Sequence, residues 1–203
     1  MFQDIKKILY HEATILSRLD ELASEITEDY VGKDLTVIAI LNGSFIFMAD
    51  LLRRIPIHLQ VDYLSVSSYH GTKSSGQVSF RKSQLADLTD RHVLILDDIL
   101  DTGATLKRTS ELLAAESAAL SLKICVLLRK QIARSRLVEA DYVGFDIPDE
   151  FVVGYGLDYN ERYRNLPFIG VLTDEAIQRH RLGQSKRYPP ITDPVYLRPR
   201  LAG

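Results

Sequence analysis

One stretch of the sequence, residues 93–106, limits what this chain can fold into. It opens with the continuous apolar run Val-Leu-Ile-Leu, which is typical of a strand buried on both faces of a sheet. It leads into side chains at helical spacing, Leu106, Thr109, Leu112 and Leu113, which mark one face of a helix. A buried strand, a short loop and a helix in this order predict one unit of an α/β fold.

The loop between this strand and this helix predicts a phosphate site. Its four small residues, called the phosphate cup below, are Thr102, Gly103, Ala104 and Thr105. Amide N–H groups at a helix N-terminus favour an anion, and a glycine lets the backbone approach a ligand closely. The two threonines add hydroxyl donors.

Three acids stand just before the phosphate cup: Asp97, Asp98 and Asp101. A surface loop that only caps a helix needs one acid, not three. Three carboxylates would repel a bound phosphate unless something offsets their charge. Ribose hydroxyls donate to carboxylates, and Mg²⁺ prefers oxygen ligands together with substrate phosphates. The pattern therefore predicts a phosphorylated sugar with free hydroxyls and a divalent metal.

Residues 96–106 resemble the motif by which type I phosphoribosyltransferases bind phosphoribosyl pyrophosphate. That motif follows a hydrophobic strand and consists of two acids, two apolar residues, an acid-Thr-Gly triplet and a further threonine. The resemblance implies that Asp97 and Asp98 hold the ribose hydroxyls or the Mg²⁺ on them. It also implies that Asp101 is the general base and that the phosphate cup binds the 5′-phosphate. The family often has glutamate where this chain has Asp97, and some relatives have lysine where it has Ala104.

Composition and charge exclude several classes of protein. The chain has 203 residues, 46% of them hydrophobic, which fits one globular domain. Its formal net charge of −2 gives no electrostatic reason to expect nucleic acid or a membrane surface as a partner. Cys125 is the single cysteine, so no disulfide can form within the chain. No apolar run reaches the roughly 18 residues of a spanning helix, and no signal peptide is recognisable, so we expect a cytoplasmic protein.

A second strand, loop and helix follow the same plan. The strand covers residues 35–41, the loop is Asn42-Gly43-Ser44, and the helix covers residues 45–54. In the resembling family this loop holds pyrophosphate through its backbone, and its first peptide, here Leu41–Asn42, is often a non-proline cis bond. The family commonly has lysine or arginine where this chain has Asn42, so the resemblance implies backbone contacts without that charge.

The polar segment 68–77 lies between two predicted strands, residues 57–67 and 78–80. It is too long for a tight hairpin turn. Its composition fits either a loop without a role or a lid that closes over the site and excludes water. The pair Ser68-Tyr69 resembles the flexible catalytic loop of the hypoxanthine-guanine branch, which implies a lid that contacts the substrate.

Lys130 follows a predicted buried strand, residues 122–128. A lysine in that position is usually only a solvated flank. In the resembling enzymes the aligned lysine donates to the 6-oxo group of the purine. The resemblance therefore implies a role in base selection.

Residues 151–159, Phe-Val-Val-Gly-Tyr-Gly-Leu-Asp-Tyr, resemble the purine hood of the hypoxanthine-guanine phosphoribosyltransferases. The resemblance implies that Phe151 stacks on the purine and that the carbonyls of Val152 and Asp158 accept from a guanine 2-amino group. It also implies that Asp158 ligates a second Mg²⁺ through water and that Arg164 contacts pyrophosphate.

These patterns together predict an α/β fold, a twisted parallel sheet flanked by helices, with a small hood subdomain. The expected phosphoribosyltransferase domain covers residues 1–180. Its core lies near residues 30–145, and its hood is built from the N-terminal segment and residues near 146–172. Residues 181–203, rich in proline and basic side chains, predict an extended tail that is mobile or lies on a partner subunit.

The expected function is purine salvage: Mg²⁺-dependent transfer of 5-phosphoribose from phosphoribosyl pyrophosphate to N9 of hypoxanthine or guanine. The alternative is a regulator of the same fold that senses phosphoribosyl pyrophosphate and no longer catalyses. Such regulators tend to carry a DNA-binding module, and the segment before residue 35 is too short for a winged helix. The family's habit and the basic tail predict a homodimer or homotetramer.

Overall fold

The computed structural model describes residues 1–68, 78–80, 86–131 and 136–181. Four α-helices and nine strands lie in this part of the chain. In chain order they are β1 (Ile5–Tyr10), α1 (Glu12–Tyr30), β2 (Leu35–Leu41), α2 (Phe45–Leu52), β3 (Leu59–Ser68), β4 (Val78–Phe80), β5 (His92–Leu100), α3 (Ala104–Glu116), β6 (Ser121–Gln131), β7 (Tyr142–Pro148), β8 (Val152–Val153), β9 (Ile169–Leu172) and α4 (Asp174–Arg181). A 3₁₀ turn, Phe2–Asp4, precedes β1.

The central sheet has six strands in the order β4-β3-β2-β5-β6-β7. Five of them run parallel, and β4 pairs antiparallel with β3 at the edge. The apolar run 93–96 is fully buried in β5, as its composition predicts. The predicted parallel sheet flanked by helices is confirmed.

Helices cover both faces of this sheet. On one face, α1 and α2 bury Leu19 and Phe47 against Val37. On the other face, α3 buries Leu106 and Leu113 against Ile95. Each such side chain stabilises the fold by about 1.5–3 kcal/mol when it is fully removed from water. The two layers fix the sheet, and with it the positions of the loops that follow the strands.

A second, smaller sheet stands beside the first, with the order β1-β9-β8 and antiparallel pairing throughout. Its contact with the central sheet includes Tyr10, whose ring stacks on Phe145 with the centroids 4.0 Å apart. Asp4 is buried beneath it and accepts hydrogen bonds from the Tyr163 hydroxyl at 3.0 Å and from Arg179 at 3.1 Å. The small sheet thereby ties the N-terminal segment to residues 152–181.

The structure differs from the sequence prediction at the central motif. β5 continues to Leu100, three residues beyond the strand end expected near Asp97, so Asp98 also lies inside the strand and not in the loop. The reason is the parallel partner β6, which pairs with β5 as far as Leu100 and Arg129. Elsewhere α2 ends two residues earlier than predicted, at Leu52.

Two predictions fall mostly on residues outside the described ranges. The predicted lid, residues 68–77, is described only at Ser68, where β3 ends, and Tyr69 lies outside. The predicted tail, residues 181–203, is described only at Arg181, the last residue of α4. Within the described ranges, none of the helices combines the length and the apolar character needed to cross a membrane.

Candidate active site

A pocket of about 300 Å³ opens at the carboxyl ends of β2 and β5. Parallel α/β sheets bind ligands at this edge, because the loops after neighbouring strands meet there. The pocket gathers many of the predicted site residues, namely Gly43, Asp97, Asp98, Asp101, Thr102, Gly103, Ala104 and Thr105. Two sequence segments that lie far apart along the chain therefore form one site.

The phosphate cup has the geometry of an anion site. Gly103 caps α3 with φ +80° and ψ +10°, a left-handed conformation that favours glycine. A Cβ atom at this position would also lie 2.9 Å from the Val138 side chain. The Leu137 amide donates to the Thr102 carbonyl at 3.0 Å, which holds the cup against the following connection. The first turn of α3, whose amides suit an anion, lines the pocket.

Asp97 and Asp98 form a carboxylate pair at the floor of the pocket. The two acids are successive residues of β5, so their side chains leave the strand on opposite faces of the sheet. A hydrogen bond still joins them, because the Asp98 backbone amide donates to Asp97 Oδ1 at 3.0 Å. Burial, followed by the charge of Asp98, raises the pKa of Asp97 well above its ordinary range. Burial also raises the pKa of Asp98, while the positive charge of Arg164 opposes this rise. A cation and donating hydroxyls would stabilise the ionised pair.

The loop after β2 closes directly on this pair. The Leu41–Asn42 peptide bond is cis, as the resemblance implies. A Cβ atom at Gly43 would lie 1.7 Å from Asp98 Oδ2, and one at Gly156 would lie 2.1 Å from the Gly43 carbonyl oxygen. Only glycines permit these approaches, so the backbone at Gly43 lies against the Asp98 carboxylate.

The donor set fits Mg²⁺ that arrives with a phosphorylated substrate. Mg²⁺ usually takes one or two carboxylates from the protein and completes its shell with substrate phosphates and water. Asp97 and Asp98 supply such a pair at the pocket. In the described ranges no group of three or more His, Cys, Asp or Glu side chains could hold a metal ion by itself.

Lys130 links the pocket to the end of the sheet. Its side chain is only 13% exposed, and its Nζ atom lies 3.5 Å from Asp101 Oδ2. The same Nζ atom lies 3.0 Å from Asp149 Oδ1. The guanidinium of Arg136 donates to the Lys130 carbonyl. The predicted general base and the predicted base-reading lysine are therefore neighbours.

Four other predicted residues, Phe151, Val152, Asp158 and Arg164, are not part of the pocket lining. Phe151, 44% exposed, meets the edge of Tyr159 with ring centroids 4.9 Å apart. Val152 is buried in β8 opposite Val171. Arg164 donates to the Gly156 carbonyl at 2.9 Å and pairs with Asp158 at 2.9 Å. Since Gly156 packs on Gly43, Arg164 is held close to the pocket.

Sequence reasoning missed three residues of this arrangement: Gly156, Asp149 and Glu161. Glu161 pairs with Arg164 at 3.0 Å, so two carboxylates hold that guanidinium. Asp149 directly follows β7, which pairs with the strand that bears Lys130, and this pairing of strands is not written in the sequence. The role of Gly156 depends on packing between distant segments, which no local pattern reveals.

Comparison with known proteins agrees with this geometry. Residues 6–160 match the model of the phosphoribosyl transferase domain. The fold and the pocket thus define the class of protein, a phosphoribosyltransferase.

Similar proteins indicate which family of phosphoribosyltransferases this chain resembles. The hypoxanthine-guanine phosphoribosyltransferase of Staphylococcus aureus (strain N315) is 49% identical over 177 residues, 87% of this chain and 98% of that protein. The enzyme of that name from Staphylococcus epidermidis (strain ATCC 12228 / FDA PCI 1200) is 49% identical over 180 residues, 88% and 100% of the two chains.

Solved structures give the same result. A hypoxanthine phosphoribosyltransferase from S. aureus superposes with a TM-score of 0.81 at 49% identity, covering 87% of this chain and 96% of that chain. The hypoxanthine phosphoribosyl transferase of Trypanosoma cruzi superposes with a TM-score of 0.82 at 37% identity, covering 90% and 98%. The chain belongs to the hypoxanthine-guanine phosphoribosyltransferase family.

Proposed function

We propose that this protein is a purine-salvage enzyme that transfers 5-phosphoribose from phosphoribosyl pyrophosphate to N9 of hypoxanthine or guanine. The products are the nucleoside monophosphate and pyrophosphate. The observation that carries the proposal is the pocket itself. It joins a glycine-capped helix N-terminus, the carboxylates of buried Asp97 and part-buried Asp98, and the neighbouring Asp101 and Lys130 at one edge of a parallel sheet.

Phosphoribosyl pyrophosphate binds along the floor of the pocket. Its 5′-phosphate is held by the amides and hydroxyls of the phosphate cup. Its ribose hydroxyls donate to Asp97 and Asp98, whose burial makes a hydrogen-bonded partner valuable. Its pyrophosphate meets the backbone of Asn42 and Gly43, and Arg164 supplies positive charge nearby.

Mg²⁺, when bound, neutralises the charge of the departing pyrophosphate. Asp97 and Asp98 would hold one ion together with the substrate, and Asp158 would hold a second through water. Asp158 is paired with Arg164 at 2.9 Å, so the metal and the guanidinium would share this carboxylate.

The group transfer forms the C1′–N9 bond and breaks the bond between C1′ and the pyrophosphate oxygen. The bonding electrons leave with pyrophosphate, so positive charge develops on the ribose ring. Asp101 accepts the proton that the purine loses, near N7. General-base catalysis of this kind contributes about 10²- to 10⁴-fold. Ser68 and Tyr69 of the lid exclude water from the developing cation.

Lys130 and the hood select the base. The Lys130 ammonium donates to the 6-oxo oxygen, whereas adenine presents an amino donor there and leaves the lysine without an acceptor. Phe151, whose ring is partly exposed, stacks on the purine ring. The carbonyls of Val152 and Asp158 accept from the 2-amino group of guanine.

The proposal includes a homo-oligomer, a dimer or tetramer, acting in the cytoplasm without nucleic-acid or membrane partners. Val61 and Tyr63 of β3 are 53% and 49% exposed, and Phe45 of α2 is 44% exposed. Val61 and Tyr63 pair in register with Val37 and Ala39, so they lie on the same face of the sheet as α2. They remain about half exposed on that face. A second copy of the chain would cover these apolar side chains.

The proposed division into a core near residues 30–145 and a hood (the N-terminal segment with residues near 146–172) follows the two sheets. The proposal assigns residues 181–203 to a tail; only Arg181 of these lies within the described ranges. Limited proteolysis tests this division: the tail is expected to be lost first, with the transferase activity measured before and after.

The reaction is tested by mixing the purified protein with Mg²⁺, phosphoribosyl pyrophosphate and hypoxanthine or guanine. We expect one nucleotide and one pyrophosphate for each base consumed, and loss of turnover when the metal is chelated. Tight binding of phosphoribosyl pyrophosphate without turnover of either base would contradict the transferase and favour the sensing regulator.

A further inference from the structure

Lys130 is shared between two carboxylates, only one of which the proposed mechanism uses. Its Nζ atom lies 3.5 Å from Asp101 Oδ2 and 3.0 Å from Asp149 Oδ1. Asp149 is the nearer of the two, and its side chain is 63% exposed where that of Asp101 is 43% exposed. The contact at the shorter distance is therefore made with a residue that has no part in the chemistry.

The sheet register explains why Asp149 reaches this lysine. Lys130 pairs in register with Ile147 at the ends of β6 and β7, and Asp149 directly follows β7. One position back, Arg129 pairs in register with Asp146 and forms a two-bond ion pair at 2.6 and 2.8 Å. Because successive strand residues alternate between faces, the two cations of β6 point to opposite sides of the sheet. Each has its own carboxylate from the β7 side.

An ammonium has three N–H donors. With Asp149 and Asp101 on two sides, Lys130 keeps a donor for the 6-oxo oxygen of the purine. Without Asp149, Asp101 would be the one acidic neighbour of Lys130 among the described residues, and the lysine would form a closer ion pair with it. A carboxylate in a close ion pair with an ammonium is a poorer proton acceptor. An ammonium held in that ion pair also points away from the purine.

We propose that Asp149 is a positioning residue for base recognition: it holds the Lys130 ammonium apart from Asp101, so that the general base and the base-reading lysine act separately. This inference rests on the proposed function, since it concerns how the same site reads a 6-oxopurine. Asp149 touches neither the reacting atoms nor the phosphates, so its removal affects the purine and not phosphoribosyl pyrophosphate.

The test uses the full-length protein and three single variants, Asp149→Asn, Asp149→Glu and Asp146→Asn. In Asp149→Asn we expect kcat/KM for hypoxanthine to fall roughly 2- to 5-fold, the range for one ion pair with an exposed partner, with the KM for phosphoribosyl pyrophosphate unchanged. Asp149→Glu keeps the charge and should restore most of the loss. Asp146→Asn removes the matching ion pair on the other face and should leave both values unchanged.

A double-mutant cycle shows whether Asp149 acts through the lysine. In the Lys130→Ala background, Asp149→Asn should have no further effect on kcat/KM for hypoxanthine. A loss of the same size in that background would overturn the inference, and so would an equal loss in Asp146→Asn. Thermal unfolding shows whether each variant folds. If Asp149→Asn does not fold, Asp149→Ser replaces it.

The assays distinguish a wrong proposed function from a wrong role of Asp149. If the unaltered protein forms no nucleotide from hypoxanthine or guanine, the proposed function is wrong and the role of Asp149 falls with it. If the unaltered protein turns over and Asp149→Asn matches it in kcat/KM for hypoxanthine, only the role of Asp149 is wrong.

Discussion

The substitution Gly43→Ala tests whether the loop after β2 binds pyrophosphate against the acid pair. The added methyl carbon would lie 1.7 Å from Asp98 Oδ2 and 2.5 Å from Asp98 Cγ. An ordinary contact needs about 3.5 Å, so the loop or the carboxylate must move by about 1.8 Å. Either movement displaces a group that we assign to phosphoribosyl pyrophosphate.

The size of the effect follows from that displacement. A misplacement of about 1 Å at a reacting site can cost roughly 10²-fold in rate. We therefore expect kcat/KM for phosphoribosyl pyrophosphate to fall at least about 10²-fold in Gly43→Ala. The free energy of unfolding should fall by only about 1–3 kcal/mol, the usual cost of overpacking.

Gly32→Ala is the matched control. Gly32 has φ +76° and no atom within 4 Å of the added methyl group. A left-handed alanine costs about 1–2 kcal/mol, so the stability loss is similar, but Gly32 precedes the amino end of β2, whereas the pocket opens at the carboxyl end of that strand. Steady-state kinetics and urea unfolding of both variants separate the two effects. Gly43→Ala with unaltered kcat/KM would refute the placement of pyrophosphate beside Asp98.

Three further predictions concern single side chains. Asp101→Asn should lower kcat about 10²- to 10⁴-fold with little change in thermal stability, and undiminished turnover would remove Asp101 from the mechanism. Lys130→Ala should raise the KM for hypoxanthine more than that for phosphoribosyl pyrophosphate in initial-rate assays, whereas equal changes would argue against base reading. The Arg129 guanidinium holds the pKa of Asp146 below its usual range. The stabilisation from this pair is therefore present above the unfolded carboxyl's pKa and lost as the pH falls through the folded one. Unfolding of Asp146→Asn should accordingly be less dependent on pH than that of the unaltered protein between neutral and acidic pH, and an identical dependence would contradict this.

The main fold features were predictable from local patterns. The strand predicted at residues 35–41 coincides with β2, because a β-rich apolar run leaves no alternative. The end of β5 was not predictable, since acidic residues disfavour a strand unless neighbouring strands and a ligand site accommodate them. Asp97 and Asp98 lie in the strand because β6 pairs alongside them.

The site was predictable where a motif carries it and unpredictable where packing does. The phosphate cup is one continuous motif, so its place at the start of α3 follows from the sequence. The contact of Lys130 with Asp101 and Asp149 depends on which strands are neighbours, and the sequence does not state the strand order. The close approach of Gly156 to Gly43 depends on how the second sheet sits beside the first.

The most direct test of the account is a competition between bases. The protein, Mg²⁺ and phosphoribosyl pyrophosphate are mixed with equal concentrations of hypoxanthine, guanine, xanthine, adenine and uracil, and the nucleotides formed are separated and quantified. We predict nucleotides of hypoxanthine or guanine, or of both, in large excess over those of adenine and uracil. Turnover of adenine or uracil at a comparable rate would contradict the account of Lys130 and the hood, and turnover of no base would contradict the transferase itself.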